Sequence, residues 1–147
     1  LYRRALAIYE ASYGPDHPSV ATALNNLAEQ LRASNRLADA EPLYRRALVI
    51  HEASYGPDHP TVATDLNNLA ELLRASNRLA DAEPLFRRAV EILLQFTHAT
   101  GHQYPHLQAF INNYVGLLAA MGWSEPEIMA RLGEVARRFG FSLKSGA

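Results

Sequence analysis

The chain opens with two near copies of one 42-residue segment, residues 1–42 and 43–84, which differ at five aligned positions. The differing pairs are Ala7/Val49, Tyr9/His51, Ser19/Thr61, Ala23/Asp65 and Gln30/Leu72. A third copy begins at Leu85 and then diverges. Self-similarity at such a period is typical of stacked structural units, each too small to bury its own apolar face. The sequence therefore predicts a repeat array, an architecture that offers an extended binding surface.

Composition narrows the class of protein. The length of 147 residues fits one domain, and 48% hydrophobic with 20% charged residues is typical of a folded chain. A formal net charge of −1 disfavours nucleic acid or an anionic membrane as partner. No apolar run approaches the roughly 20 residues needed to cross a bilayer. Cysteine is absent, which excludes disulfides and thiol chemistry and fits a cytoplasmic location.

One unit illustrates the predicted helix pair. Apolar residues recur on one helical face at Val20, Leu24, Leu27 and Leu31. Pro18 suits the first turn of this helix, and Asn35 can adopt the left-handed conformation that ends it. A second helix is predicted from Leu37 to Tyr55, because Gly56 can terminate it. Pro42 is expected in or near its first turn.

The same helix-starting and helix-ending residues predict a single repeat domain over residues 1–147. Its parts are 1–14 (a partial second helix of an upstream unit), 18–55 (unit one), 60–97 (unit two, with helices near 60–76 and 79–97) and 105–140 (a divergent C-terminal unit). The third unit aligns with the second only after three extra residues. Ser124 and Glu127 form a capping-box pattern before its last helix, and Gly140 is expected to end that helix. We interpret this unit as a cap that shields the last apolar face.

Large and small residues alternate in a pattern that identifies a family. The positions are Leu24, Leu27, Ala28, Leu31, Ala40, Tyr44 and Ala47, and then Leu66, Leu69, Ala70, Leu73, Ala82, Phe86 and Ala89. This pattern resembles tetratricopeptide repeats. The 42-residue period and the segments 13–18 and 24–28 are similar to those of kinesin light chain repeats and their bacterial relatives. The resemblance implies an all-α solenoid of helix hairpins in a right-handed superhelix. The expected core is Leu27, Leu31, Tyr44, Leu48, Leu69, Leu73, Phe86 and Ile111.

In that family, the first helices of the units line a concave groove that holds extended peptide segments of partner proteins. Carried over, the peptide-binding residues here would be Thr22, Asn25, Glu29, Arg32, Thr64, Asn67, Glu71, Arg74 and Asn112. Spacings of three and four place each unit's set on one helix face. Asparagine can pair with both main-chain groups of a peptide, and arginine can hold a carboxylate with two bonds. Gly116 and Ala119 replace the charged positions in the third unit.

Other interpretations of the same residues stay open. The asparagines can instead bond across neighbouring helices and set the spacing of the units. Glu29 and Arg32 also form an i,i+3 pair, which contributes only about 0.2–0.5 kcal/mol by itself. At the level of function, the alternatives are a structural array that stacks head-to-tail through Leu1, Ala5, Leu6 and Ile8, or a regulatory segment of a larger signalling protein.

The sequence offers no support for catalysis. It contains no glycine-rich phosphate loop, no zinc-binding His-Glu pattern and no nucleophile elbow, so we expect neither enzyme activity nor a cofactor. His98, His102 and His106 are four residues apart, but Gly101 and Pro105 interrupt the helical spacing, which favours a solvated connector over a metal site. Arginine pairs recur at 3/4, 45/46 and 87/88, and we interpret them as covering apolar surface with their stems.

Overall fold

The computed structural model describes residues 2–102 and 104–141, and these form seven α-helices without a strand. The helices are α1 (Tyr2–Tyr13), α2 (Pro18–Ala33), α3 (Leu37–Tyr55), α4 (Pro60–Ala75), α5 (Leu79–Thr100), α6 (Leu107–Ala120) and α7 (Glu125–Arg138). The predicted all-α class is confirmed. Leu1, one of the residues considered for head-to-tail stacking, lies outside the described residues.

The helix ends follow from residues repeated in each unit. His17 and His59 precede α2 and α4, and each Nδ1 accepts the N–H of the residue two positions on, at 3.0 Å. These histidines therefore act as N-caps, a role the sequence pattern did not indicate. At the other ends, Asn35 and Asn77 both adopt a φ of 59°, the left-handed conformation predicted for Asn35.

Among the second helices, the end of α5 differs from the expectation and the place of Pro42 agrees with it. Helix α5 continues to Thr100, three residues beyond the predicted end, because the first breaker is Gly101 with a φ of 72°. Pro42, expected in or near the first turn, is the sixth residue of α3 and lies early in the second turn. Having no N–H, it leaves the carbonyl of Ala38 without its usual helical donor.

Successive helices pack against each other along the chain. Helix α2 packs on α3 and α4 on α5, and α3 and α5 each contact the first helix of the next unit. The small residues of the repeat pattern on these helices, Ala28, Ala40, Ala70 and Ala82, are fully buried. Of the predicted core, Leu27, Leu31, Tyr44, Leu69, Leu73 and Phe86 are buried. Leu48 and Ile111 are half-buried and pack against the core from its edge.

The last helix is closed at both ends. Ser124 Oγ accepts the N–H of Glu127 at 3.3 Å, so Ser124 is the predicted N-cap. The Glu127 carboxylate accepts from the Ser124 hydroxyl at 3.0 Å rather than from its main-chain N–H. Gly140 ends the element with a φ of 80°, and the ring of Phe141 meets His98 edge-on at 6.0 Å between centroids. Through these contacts the chain folds back onto α5. Within the described ranges, no helix has the length and apolar character required to span a membrane.

Candidate functional site

A polar cavity of about 450 Å³ lies between α2 and α4, the first helices of two consecutive units. Its lining residues are Thr22, Asn25, Asn26, His51, Tyr55, Thr61, Thr64, Asp65, Asn68 and Tyr104. Thr22 and Asn26 are exposed on α2, and Thr64 and Asn68 occupy the corresponding positions on α4. Hydroxyl and amide groups therefore face solvent in the space between the two helices.

Two asparagines of the predicted stripe reach across to the next first helix, and one of them, Asn25, also lines the cavity. Asn25 Nδ2 donates to Asp65 Oδ1 on α4 at 2.8 Å. Asn67 is only 7% exposed, and its Oδ1 accepts from Asn113 Nδ2 on α6 at 3.2 Å. These are the bonds across neighbouring helices that the alternative interpretation of the asparagines expects.

The charged residues of α2 form a connected group. Arg32 donates to Glu29 at 2.7 Å and lies 3.9 Å from Glu71 Oε2 on α4. The Tyr44 hydroxyl donates to the other oxygen of Glu29 at 2.7 Å. Hydrogen bonds from Arg32 and Tyr44 hold the pKa of Glu29 below its usual value, against the opposing effect of burial. Arg32 is thus shared between two carboxylates.

Arg74 is the counterpart of Arg32 one unit later, and its surroundings differ. Within the described residues, no carboxylate lies within ion-pair distance of its guanidinium. The position corresponding to Glu71 in the third unit is Gly116, and a Cβ built there would lie 3.0 Å from Arg74 Nη1. The absence of a side chain at Gly116 therefore leaves room for the Arg74 guanidinium at the side of α6.

The remaining predicted residues lie on accessible parts of the first helices. The hydroxyls of Thr22 and Thr64 each contact the main-chain carbonyl four residues earlier, at 3.3 and 3.4 Å. Asn112 is exposed on α6, where its Oδ1 accepts from Gln108 Nε2 at 2.9 Å. The stripe therefore divides into residues that face solvent and residues that join neighbouring units.

Sequence reasoning missed two polar residues beneath the cavity. His51 is 4% exposed and Asp65 is 1% exposed, and their side chains are in contact. A signal for them was present, since both positions are among the five that differ between the near-identical units. In the described part of the chain, no three His, Cys, Asp or Glu side chains converge as ligands for a metal ion.

Comparison with known proteins supports the resemblance. The tetratricopeptide repeat profile matches residues 1–48 and 19–95. The crystal structure of BtubC (BKLC) from P. vanneervenii has a TM-score of 0.77 and 23% identity over 99% of this chain, which spans 58% of that protein. A putative kinesin light chain from Podosopora anserina, with nearly identical TPR-like repeats, has a TM-score of 0.75 and 20% identity over 98% of this chain and 66% of its own. A search of curated proteins gave no match. The chain belongs to the tetratricopeptide repeat family, and its fold is that of the kinesin light chain-like repeat proteins.

Proposed function

We propose that the chain is a non-catalytic protein-interaction module that binds an extended peptide segment of a partner in the groove formed by α2, α4 and α6. The tetratricopeptide fold is, in general, the fold of protein-interaction and scaffold modules. The observation that carries the proposal here is the open polar cavity between α2 and α4. An extended peptide has main-chain donors and acceptors that need partners when water is displaced.

The two rows of polar residues have different roles in this proposal. Thr22 and Thr64, together with Asn26 and Asn68, offer hydroxyl and amide groups to the main chain of the peptide. Asn25 and Asn67 support the groove indirectly. Their side chains bond to the next first helix, and these bonds fix the distance between neighbouring first helices. A groove of fixed width lowers the conformational entropy lost on binding.

The charged residues of the groove predict a preference for acidic peptides. Arg32 is already engaged by Glu29 and Glu71, whereas Arg74 lies beside Gly116 and has no carboxylate partner among the residues that the structure describes. A planar guanidinium can hold a carboxylate with two parallel bonds. We therefore expect the bound peptide to carry an acidic side chain where it passes Arg74, and to pass Asn112 on α6, four residues before Gly116.

The test selects peptides from a random phage-displayed library on the immobilised chain and measures their affinity by calorimetry. N26A/N68A removes two amides from the cavity, and R74E reverses the charge of Arg74. R137E makes the same charge change at an exposed residue of α7 that does not line the cavity. All three changes lie on exposed or half-buried side chains, so far-ultraviolet circular dichroism should remain that of the parent.

We expect N26A/N68A and R74E each to weaken the selected peptides at least about tenfold, the effect of losing one charge-assisted or two neutral hydrogen bonds. R137E should bind as the parent does. We also expect acidic residues to be enriched among the selected peptides. Equal affinity for all four proteins, or a library that yields no binder, would reject the groove as a peptide site.

A second candidate is head-to-tail self-association. On α1, Ile8 and Tyr13 are each 54% exposed, while Ile50, the counterpart of Ile8 in α3, is 3% exposed against α2. An uncovered apolar face can bind a neighbouring copy, and such contacts do not close on themselves. Sedimentation over a wide concentration range tests this directly: Ile8→Asp should abolish any association, and a strict monomer at every concentration would exclude it.

A further inference from the structure

Corresponding positions of consecutive interfaces between units carry three chemically different pairs. In chain order, the pairs are Tyr9/Ala23, His51/Asp65 and Leu93/Phe110, where the first residue belongs to a second helix and the other to the first helix that follows. The first pair combines an exposed tyrosine with a buried alanine, the second is polar and buried, and the third is large, apolar and buried. Two of the five positions that differ between the near-identical units therefore belong to this one pair.

The middle pair forms a buried polar cluster with a residue of the preceding first helix. His51 Nδ1 contacts Asp65 Oδ2 at 2.5 Å, and Asn25 Nδ2 donates to Asp65 Oδ1 at 2.8 Å. Each carboxylate oxygen thus has one partner, from α3 and from α2 respectively. A hydrogen on Nδ1 is present in the imidazolium and in one neutral tautomer, so His51 can donate in either state. With Asp65 only 1% exposed, both donors are needed to offset the loss of water around the carboxylate.

Because the units are nearly identical, a helix of one unit can pack against the wrong neighbouring helix. Because α1 and α3 share most of their sequence, and α2 and α4 do likewise, apolar packing alone barely distinguishes the correct neighbour from the wrong one. In particular, α3 of one molecule can meet α2 of a second copy, and exchange of identical elements between copies is an accessible route to dimers. That exchange would place His51 against Ala23, which offers no acceptor. The reverse mismatch, α1 with α4, would place Asp65 against Tyr9.

We propose that the cluster of Asn25, His51 and Asp65 specifies α4 as the neighbour of α3, and thereby fixes the order of the units and prevents their exchange with a second copy of the chain. Only the native order gives the Asp65 carboxylate both donors and gives His51 an acceptor. A wrong pairing separates the buried His51 and Asp65 side chains from each other, whereas the apolar contacts around them are nearly unchanged. The specificity arises from this penalty on wrong neighbours.

The test compares two variants that make the units equally similar. H51Y/D65A gives the second interface the pair of the first, and leaves three differences between the units. V49A/T61S also leaves three differences but keeps the cluster, and it changes one exposed and one half-buried side chain. Isotopically light and heavy chains of each protein are mixed, unfolded, refolded at high concentration and examined by native mass spectrometry for mixed dimers.

We expect H51Y/D65A to form mixed dimers at least about tenfold more abundantly than V49A/T61S, since one unsatisfied buried group no longer opposes exchange. If H51Y/D65A does not refold, Y9H/A23D decides, because it copies the pair to the first interface and again makes the two alike. The proposal is overturned if the variant that folds matches V49A/T61S. Abundant mixed dimers in the parent protein would overturn it as well.

A cycle of single substitutions provides an independent measurement. D65A alone leaves His51 and Asn25 without an acceptor, so the folding equilibrium constant should fall roughly tenfold or more. Adding H51Y removes the unpaired imidazole and should recover part of that loss. Strictly additive effects of the two substitutions would show that the residues do not act together, and would contradict the proposal.

Discussion

The phenol of Tyr44 joins the core to the groove, because its ring is buried while its hydroxyl donates to Glu29 on the groove side. Burial and this bond raise the pKa of Tyr44 far above its usual value. Tyr114 on α6 has a related environment. Burial and the nearby Glu83 carboxylate raise the pKa of Tyr114 to about 12, partly opposed by Arg131. Both phenols are therefore stabilised in the folded state only while they are protonated.

The sign of the pH effect follows from these raised values. In the unfolded chain a tyrosine titrates near pH 10, so the contribution of each phenol is complete below about pH 10 and is lost as the pH rises toward its folded value. We expect the free energy of unfolding of the parent to fall more steeply than that of Y44F/Y114F between about pH 10 and 12. Denaturant melts across this range measure it, with Y13F at an exposed tyrosine as control. Parallel pH profiles for the parent and Y44F/Y114F would contradict the assignment.

Leu69 shows what a single core residue contributes. It is 1% exposed near the middle of α4 and belongs to the continuous core. Leu69→Ala removes three carbons and leaves a cavity, so we expect a loss of roughly 2–5 kcal/mol in the free energy of unfolding, measured by denaturant melts. Leu48→Ala, at the half-buried edge, should lose less. A change at Leu69 below about 0.5 kcal/mol, typical of surface positions, would mean that its face is wrongly assigned.

At the scale of the helix, two asparagines adopt the left-handed conformation, so one substitution can be tested at two equivalent sites in the same molecule. Asn35 and Asn77 end α2 and α4 with the same φ of 59° and the same local sequence. A side chain larger than that of glycine is strained there, and asparagine is among the residues that tolerate it best. Asn35→Ala should therefore cost about 1 kcal/mol in thermal or denaturant melts, while Asn35→Gly should be neutral or stabilising. The same two changes at Asn77 should rank in the same order, and an alanine that is as stable as glycine at both sites would refute the explanation.

Helix boundaries were largely predictable because proline, glycine and asparagine act locally. The arrangement of the groove was less so. A spacing of three and four places Thr22 and Asn25 on one face of α2, but it does not say which edge of that face the next unit covers. The structure shows Asn25 at the covered edge, bonded to Asp65, and Thr22 at the open one. That division depends on how the neighbouring helix packs, which no local pattern encodes.

On the scale of the whole molecule, the second arginine of the pairs 45/46 and 87/88 joins one unit to the one before it. Arg46 binds Glu10 Oε1 at 2.9 Å and the main-chain carbonyl of Pro15 at 3.0 Å. The same contacts recur one unit later between Arg88, Glu52 and Pro57. Packing of the stems, the interpretation from sequence, therefore accounts for only part of their role. The guanidinium forms a link between units that its planar shape makes possible.

This link should be measurable but modest. Arg88→Ala is expected to lower the free energy of unfolding by about 0.5–1 kcal/mol, because the ion pair is partly solvated. Arg88→Lys keeps the charge but cannot reach two acceptors with one planar group, so it should recover less than half of that loss. Arg45→Ala, whose partner Glu41 lies on its own helix, is the matched control and should cost about 0.3–0.5 kcal/mol. Full recovery by lysine in denaturant melts would show that charge alone matters.

The protein is a row of units, so its stability should vary along the chain. Ten residues of α4 are buried, against three of α7, and no described side chain of α1 is buried. In a solenoid each unit is stabilised by its neighbours, so the ends open more readily than the middle. We expect amide hydrogen exchange to be slowest in α4 and α5 and fastest in α1 and α7. Equal protection of α1 and α4 would show instead that the contacts between units are strong enough to make the whole row unfold as one.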